Sequence, residues 1–413
     1  MSLGVYWGRE EVGKLQRVDE RSREYFFQYS NAARAISLSL PTSGEAFTPA
    51  QSRPFFEALL PEGAVRERIA GQLKLAASDS YGLLSELGRD CAGALQILEA
   101  KRMSETPSVR WLDDNELDAL IEELPRHPLG MHAEDERLRL SLAGVQNKAV
   151  LLRDEAGVFG KPLDGMPSTH ILKPEPPDGD YPGLATNEYF CMRLAARCGL
   201  SVAEVQLIEF AGRPCLVVRR FDRELSSFPP TRVHQEDLCQ ALGLTPDFKY
   251  QKEGWRLPSY IALAELLDEH SPSPGLDRLA GAQAAVFHYL VGNADAHAKN
   301  ISLIHGEDGV HPAPLYDIVC TAAYPELDTR LALSIGAELD PDLITSIHFA
   351  DLADDFSLNA TAFVRERRRL SERVAIQAPL LRDEALEEGW HDPCIERILE
   401  VVASRVPRVS VIE

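Results

Sequence analysis

The stretch GNADAHAKNISL, residues Gly292–Leu303, places an acid, an imidazole, an amine and an amide within six positions. It directly follows an apolar run with helical spacing. Two short β runs come after it, joined by the turn residues 306–309, GEDG, which predicts a hairpin. The loop between helix and hairpin therefore concentrates side chains of the kinds that catalyse reactions.

The spacing of Asp295 and Asn300, with four residues between them, is typical of a kinase catalytic loop. There the aspartate accepts a proton from the attacking hydroxyl and the asparagine holds a Mg²⁺ ion. Asp317 follows Asn300 by seventeen residues, at the end of the hairpin, where a kinase places its second metal ligand. An amide carbonyl and a carboxylate suit Mg²⁺, and water and phosphate oxygens can complete the octahedron.

Two further parts of a phosphoryl-transfer site occur upstream in the expected order. Lys173 lies in the predicted strand HILKP, from which a lysine can reach ATP phosphates. Glu188 follows fifteen residues later, in the first turn of a predicted helix, where it could pair with Lys173 and hold it extended. The order and spacing of Lys173, Glu188, Asp295, Asn300 and Asp317 together favour a kinase-like enzyme.

Neither the glycine-rich loop of kinases nor the Walker loop occurs in the chain. The candidate phosphate-covering loop is SLAGVQNK, residues 141–148, which would join the alternating run 138–140 to the predicted strand 149–152 as a turn of small residues. Small side chains there would let backbone N–H groups approach a triphosphate. The candidate nucleotide-binding residues of this loop are Ala143, Gly144, Val145 and Lys148.

The adenine-binding hinge is predicted in the strand that ends at RRFDR, residues 219–223. Backbone atoms of Arg219 and Phe221 are the expected adenine contacts, and the Phe221 ring could pack on the base. Asp222 is interpreted as a buried ion-pair partner of Arg220 or Arg223.

Two side chains inside the opening stretch have less specific roles. His297 is interpreted as an orienting or structural histidine and not a metal ligand, because no second His or Cys stands at zinc spacing. Lys299 could neutralise nearby acids, or it could stabilise the transition state as a second positive charge near the γ-phosphate. Both are candidates for the nucleotide site.

Composition sets the wider limits. The chain has 413 residues, 45% of them apolar, and a net charge of −21, which argues against a dedicated nucleic-acid binder and suits a basic protein partner. Its seven cysteines are scattered without a C-x-x-C pair, which favours a reduced compartment. No signal peptide and no membrane-length apolar run are evident, so we expect a soluble cytoplasmic protein without membrane association.

Periodicity predicts three parts, 1–125, 126–231 and 232–413, the first two mixing strands with helices and the third mainly helical. A helix is expected after the N-cap Thr48, and another from about Thr186 to Cys198, capped by Thr186 or Asn187 and ended by Gly199. Strands are expected at 4–7, 25–29, 35–40, 149–152, 169–173 and 216–220. The fold class is α+β.

Taken together, the motifs resemble the HipA family of serine/threonine kinase toxins from toxin–antitoxin systems, along nearly the whole chain. The motifs that carry the resemblance are SLSLP at 37–41, FEALLP at 56–61, LLSELGRD at 83–90, SLAGVQNK at 141–148, THILK at 169–173, NEY at 187–189, RFDR at 220–223, QED at 235–237, DAHAKN at 295–300 and YDI at 316–318. The later ones are the more specific.

The resemblance implies a kinase-like fold with a mixed α/β N-terminal part and a mainly helical C-terminal part. It implies that Asp295 is the catalytic base, that Asn300 and Asp317 bind Mg²⁺, and that Lys173 contacts ATP. It further implies that Ser141 is autophosphorylated, which ejects the phosphate loop and switches the enzyme off.

The resemblance also implies partners. These are a small dimeric DNA-binding antitoxin of the HipB kind, through which any contact with DNA would be indirect, and a protein substrate such as an aminoacyl-tRNA synthetase. Two positions depart from the family pattern: Arg219 stands where an acid is usual, and Asn147 where Glu is common.

Two other function classes stay open at this point. A kinase-fold phosphotransferase acting on a small molecule or a lipid would share every residue on the ATP side. A non-catalytic co-repressor that binds a DNA-binding antitoxin is disfavoured by the intact Asp295, because a pseudokinase commonly loses that base.

Overall fold

The computed structural model describes residues 2–19, 22–30, 34–42, 44–131, 140–142, 146–177 and 181–410. Strands lie mainly in the first 240 residues. In chain order they are β1 Ser2–Trp7, β2 Glu10–Arg17, β3 Tyr25–Tyr29, β4 Leu95–Leu98, β5 Ser108–Trp111, β6 Ala149–Arg153, β7 Phe159–Leu163, β8 His170–Pro174, β9 Val205–Phe210, β10 Arg213–Arg219, β11 Arg223–Glu224, β12 Thr231–Arg232, β13 Gln235–Asp237, β14 Ser302–His305 and β15 Val310–Pro312.

Helices dominate the second half of the chain. They are α1 Pro49–Ala58, α2 Gly63–Gln72, α3 Ser80–Leu87, α4 Asp114–Glu123, α5 Leu184–Arg197, α6 Leu238–Ala241, α7 Tyr260–His270, α8 Pro274–Val291, α9 Ser346–Asp355, α10 Ala360–Glu388 and α11 Cys394–Ser410. The predicted change from a mixed α/β N-terminal part to a mainly helical C-terminal part is therefore confirmed. Within the described part of the chain, no helix combines the length and the apolar character needed to cross a membrane.

The chain forms two compact units, Met1–Pro174 with Glu209–Asp247 and Glu175–Ile208 with Phe248–Glu413. In the first unit, an antiparallel sheet with the order β3-β2-β1-β4 packs on a core that includes Phe27, Phe55 and Phe56. Helix α1 begins as predicted. The Thr48 hydroxyl caps the N–H of Gln51, and proline occupies the first helical position.

The predicted strand at 35–40 is wrong. Only an isolated bridge between Ser37 and Leu40 is present, around a turn. The Ser37 hydroxyl donates to Oε2 of Glu236 at 2.5 Å, and the Leu38 N–H donates to Oε1 of the same carboxylate at 2.9 Å. The Ser39 hydroxyl donates to the Gln240 carbonyl at 2.6 Å. These bonds give the polar groups of the segment hydrogen-bond partners without a neighbouring strand. The alternation of serine and leucine that suggested a strand therefore reflects serines that bond to distant residues.

A second sheet of the first unit has the order β5-β7-β6-β8-β10, with β9 at its edge, and Glu209 and Phe210 of β9 belong to this unit. The predicted strands at 149–152, 169–173 and 216–220 correspond to β6, β8 and β10. Strand β8 lies between β6 and β10, with Leu172 opposite Ala149 and Lys173 opposite Leu216. Lys173 is therefore fixed on a central strand.

Five charged side chains form a buried charge network in the first unit: Asp90, Arg220, Asp222, Arg223 and Arg232. Arg220 binds Asp222 with two parallel bonds of 2.9 and 2.8 Å. Arg223 bridges the two carboxylates, at 3.0 Å to Asp222 and 2.9 Å to Asp90, and Arg232 reaches Asp90 at 3.2 Å. The interpretation of Asp222 as a buried ion-pair partner is confirmed.

Burial opposes ionisation of Asp90 and Asp222, but the neighbouring guanidinium groups outweigh burial and hold the pKa of both carboxyls below its ordinary value. Because the folded pKa is lowered, the stability that these carboxylates contribute is present above about pH 4 and is lost as the pH falls further. Their oxygens also accept bonds from Ser168 and from the Gly93 N–H, at 2.5 and 2.7 Å. The network is thus charged at neutral pH.

In the second unit, helix α5 begins two residues earlier than predicted. Its N-cap is Gly183, with a positive φ of 78°, so the prediction of Thr186 or Asn187 as the cap is wrong. The Glu175 carboxylate replaces a side-chain cap by accepting from the N–H groups of Gly183, Leu184 and Ala185 at 2.5, 3.2 and 2.9 Å. The predicted hairpin of this unit is confirmed as β14 and β15, with His305 opposite Val310.

Replacing Asp90 with Asn should destabilise the chain by about 3–5 kcal/mol, because the buried Arg223 and the half-buried Arg232 would both lose the carboxylate to which they bond. Denaturant unfolding at pH 7 measures the loss. Glu372→Gln is the matched control, since it breaks an exposed pair with Arg368 (2.9 Å) and should cost no more than about 0.5 kcal/mol. Equal effects of the two variants would contradict a structural role for the network.

Candidate active site

Helix α8 delivers the opening stretch of the sequence and ends at Gly292, whose φ is 73°. A Cβ atom at this position would lie 2.7 Å from a Val401 methyl group and 2.9 Å from the Ala322 Cβ. Both the conformation and the packing therefore require glycine. The chain leaves the helix here and forms the loop 293–300, which we call the catalytic loop.

The base of the catalytic loop is fixed by buried polar groups. The Asn293 amide donates to Nδ1 of His288 at 3.1 Å and accepts from the Asp295 N–H at 2.9 Å. The Ala294 N–H donates to the Thr321 hydroxyl at 2.8 Å, and that hydroxyl donates to the Gly292 carbonyl at 3.0 Å. The main chain before Asp295 is thus held on two sides.

Asp295 itself is exposed. Its carbonyl accepts from the His297 N–H at 2.8 Å and from Nδ2 of Asn300 at 3.0 Å. Its carboxylate oxygen Oδ1 accepts from the Tyr250 hydroxyl at 2.6 Å. These hydrogen bonds restrain the main chain of Asp295 while its carboxylate is exposed to solvent.

Asn300 and Asp317 are brought together through Tyr316. The Tyr316 hydroxyl donates to the Lys299 carbonyl at 2.8 Å and lies 2.8 Å from the Ser302 hydroxyl, so the residue before Asp317 is tied to both sides of Asn300. Asp317 has a φ of 57°, a left-handed conformation that is uncommon outside glycine and that clusters at functional sites. Three of the predicted residues, Asp295, Asn300 and Asp317, are therefore linked by short hydrogen-bonded connections.

The donor atoms of this group fit Mg²⁺. Because Nδ2 of Asn300 bonds to the Asp295 carbonyl, the amide oxygen is the end left for a cation, and Asp317 adds a carboxylate. Both are hard oxygen ligands. Among the described residues, no cluster of three or more His, Cys, Asp and Glu that could hold a metal is present.

Helix α5 supports the segment after Asp317. The amide of Asn187 accepts from the Cys320 N–H at 2.8 Å and donates to the Cys320 carbonyl at 3.1 Å. Glu188, the next residue, is fully buried in this helix of the second unit. Lys173 lies in β8 of the first unit, so the pairing of Glu188 with Lys173 stays a prediction. His297 and Lys299 are buried side chains of the catalytic loop.

The candidates on the nucleotide side belong to the first unit. Lys173 and Lys148 are buried, and Arg219 and Phe221 are half-buried at the end of β10. Ala143, Gly144 and Val145 lie outside the described residues. Roles of these residues in ATP binding remain predictions.

Ser141 is fully buried in the first unit. Its hydroxyl donates to the Leu59 carbonyl at 2.6 Å, and its N–H donates to the Asp90 carbonyl at 2.9 Å. The residue predicted to be phosphorylated is therefore held by main-chain acceptors in the conformation described. The backbone of Asp90, a member of the buried charge network, is one of these acceptors.

Sequence reasoning missed Tyr250, His288 and Thr321. Tyr250 lies in an irregular exposed stretch, and Thr321 in a short 3-10 helix, so neither has a periodic signal. His288 was one of the polar residues in the apolar helix before the catalytic loop, and a polar residue on a buried helix face is the signal that could have found it.

The fold and the site define an enzyme of the phosphoryl-transfer class, and the comparisons with known proteins identify the family. Residues 140–378 match the model of the HipA-like C-terminal domain, and residues 3–98 match that of the HipA N-terminal domain. The chain is 41% identical over 359 residues to the protein named "Putative kinase Y4mE" of Sinorhizobium fredii. The aligned region covers 82% of this chain and 83% of that protein.

Two further similarities extend over nearly the whole chain. The serine/threonine-protein kinase toxin HipA of Shewanella oneidensis is 29% identical over 393 residues, covering 91% of this chain and 88% of that protein. The structure of a Shewanella oneidensis HipA, in a complex with HipB and operator DNA, superimposes with a TM-score of 0.81 at 28% identity, and covers all of both chains. The chain therefore belongs to the HipA-like family. Its fold is the kinase-like α+β fold that the sequence predicted, and it is a protein kinase.

The neutral form of His288 should contribute to stability in a defined pH window. Burial lowers its pKa to about 4, from an ordinary value of 6.5. As the pH falls, the imidazole is protonated in the unfolded chain before it is protonated in the folded chain. The stability from the neutral histidine is therefore fully present above pH 6.5 and is lost as the pH falls toward 4. In that window the free energy of unfolding decreases by about 1.4 kcal/mol per pH unit. Urea unfolding at pH 7 and pH 5 should show a smaller pH effect for His288→Gln than for the wild type. Equal losses in both chains would contradict the neutral buried state.

Proposed function

We propose that the chain transfers the γ-phosphoryl group of ATP to serine or threonine hydroxyls of a protein, with Asp295 as the general base, and that it acts as the toxin of a toxin–antitoxin pair. One observation carries the catalytic part of this proposal. Asp295 is an exposed carboxylate on a rigid loop whose Asn300 is hydrogen-bonded to the Asp295 carbonyl and connected through Tyr316 to Asp317.

In the transfer step, Asp295 accepts the proton of the acceptor hydroxyl as the hydroxyl oxygen bonds to the γ-phosphorus. The bond from that phosphorus to the oxygen bridging the β- and γ-phosphates breaks, and ADP carries away the bonding electrons. Positioning and electrostatics supply most of the catalysis in such reactions. The hydrogen bonds that fix the main chain of Asp295 on both sides serve this positioning.

Asn300 and Asp317 would hold Mg²⁺ through one amide oxygen and one carboxylate. A bound Mg²⁺ ion neutralises charge on the phosphate oxygens. Lys173 would contact the phosphates from its central strand, with Glu188 as its partner, and Lys148 with the loop residues Ala143, Gly144 and Val145 would cover them. Arg219 and Phe221 would contact adenine, while His297 and Lys299 would line the phosphate side.

Self-phosphorylation of Ser141 is the second part of the proposal. A serine whose hydroxyl donates to a buried carbonyl can reach a catalytic base only after its segment leaves that position. A phosphoserine carries about −1.5 to −2 charge and cannot return to a buried site without a large desolvation penalty. The modified segment would therefore stay out, and an enzyme that has lost its phosphate-covering loop would be inactive.

The toxin role rests on the relatives. The Shewanella oneidensis HipA structure contains HipB and operator DNA. A small DNA-binding antitoxin of that kind is the proposed partner of this chain, whose net charge of −21 disfavours strong direct contact with DNA phosphates. A translation-related protein such as an aminoacyl-tRNA synthetase is the proposed substrate. The cytoplasm is the proposed location, which suits seven buried free cysteines.

Asp295→Asn should reduce phosphoryl transfer from labelled ATP at least about 100-fold, because the near-isosteric amide cannot accept the proton. Binding of ATP, measured by calorimetry with Mg²⁺ present, should stay within about twofold of the wild type, since the residue acts on the acceptor and not on the nucleotide. Transfer that persists in the variant would remove Asp295 from the mechanism.

Ser141→Ala should abolish a gain of one phosphate in the intact mass after incubation with Mg-ATP, because the acceptor hydroxyl is absent. Ser85→Ala is the control, since Ser85 is also a serine of the first unit whose hydroxyl donates to a main-chain carbonyl, that of Gly82 at 2.8 Å. Peptide mapping of the wild type should place the phosphate on Ser141. An unchanged gain in Ser141→Ala would assign the modification to another residue.

A further inference from the structure

A segment of the second unit, residues 248–255, runs beside the catalytic loop and is fixed on both sides of Tyr250. On the N-terminal side of Tyr250, the Lys249 carbonyl accepts from the Ala298 N–H of the catalytic loop at 3.0 Å. After it, the Gln251 N–H donates to the Ala332 carbonyl at 2.9 Å, and the Gln251 side chain accepts from the N–H and the hydroxyl of Ser334 at 2.8 and 3.0 Å. The main chain that carries Tyr250 therefore has a defined position.

The Tyr250 side chain is also held at its ring and at its hydroxyl. The ring packs edge-to-face on His297, with centroids 5.2 Å apart and an interplanar angle of 85°. The hydroxyl donates to Oδ1 of Asp295 at 2.6 Å, within the range of a short charge-assisted bond. Tyr250 is 43% exposed, so this bond lies at the surface from which an acceptor must approach Asp295.

The hydrogen bonds of Asp295 divide into two groups. Its N–H and its carbonyl bond within the catalytic loop and fix the main chain, whereas its carboxylate bonds to Tyr250. Main-chain bonds leave rotation about χ1 of the aspartate undetermined. The orientation of the carboxylate therefore depends on the phenol.

We propose that Tyr250 is a positioning residue for phosphoryl transfer: its hydroxyl holds Oδ1 of Asp295, so that Oδ2 is turned to the acceptor hydroxyl. The acceptor proton passes to Oδ2, and Tyr250 keeps its own proton throughout. This inference rests on the proposed role of Asp295 as general base. It adds the residue that orients the base and comes from a segment outside the catalytic loop.

The opposite role would be a block, in which the tyrosine occupies the place of the acceptor and must swing away. The anchors of Lys249 and Gln251 and the packing on His297 oppose such a movement. A carboxylate can also accept a second bond at its other oxygen while the first is occupied. Positioning therefore accounts for the geometry with no rearrangement of the segment.

The test is Tyr250→Phe, which keeps the ring on His297 and removes only the hydroxyl. Transfer from Mg-ATP is followed in one reaction to dephosphorylated casein and to the chain itself. We expect kcat to fall about 10- to 100-fold, because a misplaced base loses much of its effect, while KM for ATP stays within about twofold. Tyr6→Phe is the matched control, since it removes a phenol–carboxylate bond to Glu11 (3.3 Å) in the first sheet and should leave kcat unchanged.

A second comparison separates this inference from the function on which it rests. In an Asp295→Asn background, Tyr250→Phe should cause no further loss, because the tyrosine acts through the carboxylate. If Asp295→Asn abolishes transfer but Tyr250→Phe leaves kcat unchanged, the positioning role is wrong and the base is retained. A higher kcat in Tyr250→Phe would also overturn positioning and would identify a block. Unchanged transfer in Asp295→Asn would overturn both proposals.

Discussion

The buried charge network of Asp90, Arg220, Asp222, Arg223 and Arg232 is the constraint on which the first unit depends. Desolvating five charges is costly, and the cost is offset only if every donor and acceptor finds a partner. The carbonyls of Cys91 and Gly93 and the side chain of Ser168 provide further partners, and Nε of Arg223 is the one buried network atom left without a hydrogen bond. Few other arrangements of the segments around residues 90, 220–223 and 232 would provide partners for so many buried polar groups. The network therefore determines how these segments pack together.

The buried charge network joins residues from both of the HipA domains that the chain matches. Asp90 belongs to the HipA N-terminal domain at 3–98, and the three arginines belong to the HipA-like C-terminal domain at 140–378, yet all lie in one compact unit. The Asp90 carbonyl also binds the N–H of Ser141. Under the proposed self-phosphorylation, the release of Ser141 would therefore begin at a backbone that the network holds rigid, which limits the movement to the serine segment.

The success of sequence reasoning differed with the range of the interactions. Asp295, Asn300 and Asp317 could be grouped because a short loop and a hairpin connect them, so spacing along the chain approximates position in space. The segment 35–40 was misjudged because Ser37 and Ser39 bond to Glu236 and Gln240, about 200 residues away, and alternating serines then imitate a strand. The prediction of the α5 cap is wrong for a similar reason. The acceptor for the N–H groups at the start of the helix is the Glu175 carboxylate from the preceding loop, and not the side chain of Thr186 or Asn187.

The catalytic loop shows how rigidity and exposure are combined. Asn293, Thr321 and His288 hold its main chain from the buried side, where an unpaired polar group would be costly, so these contacts tolerate little change. The Asp295 carboxylate must instead meet solvent and an incoming hydroxyl, and no buried group can hold it without blocking access. A donor at the surface, on a separately anchored segment, resolves this conflict because it occupies one oxygen and leaves the other free. Tyr250 has that position, and spacing within the catalytic loop could not have revealed it, since it lies 45 residues before Asp295.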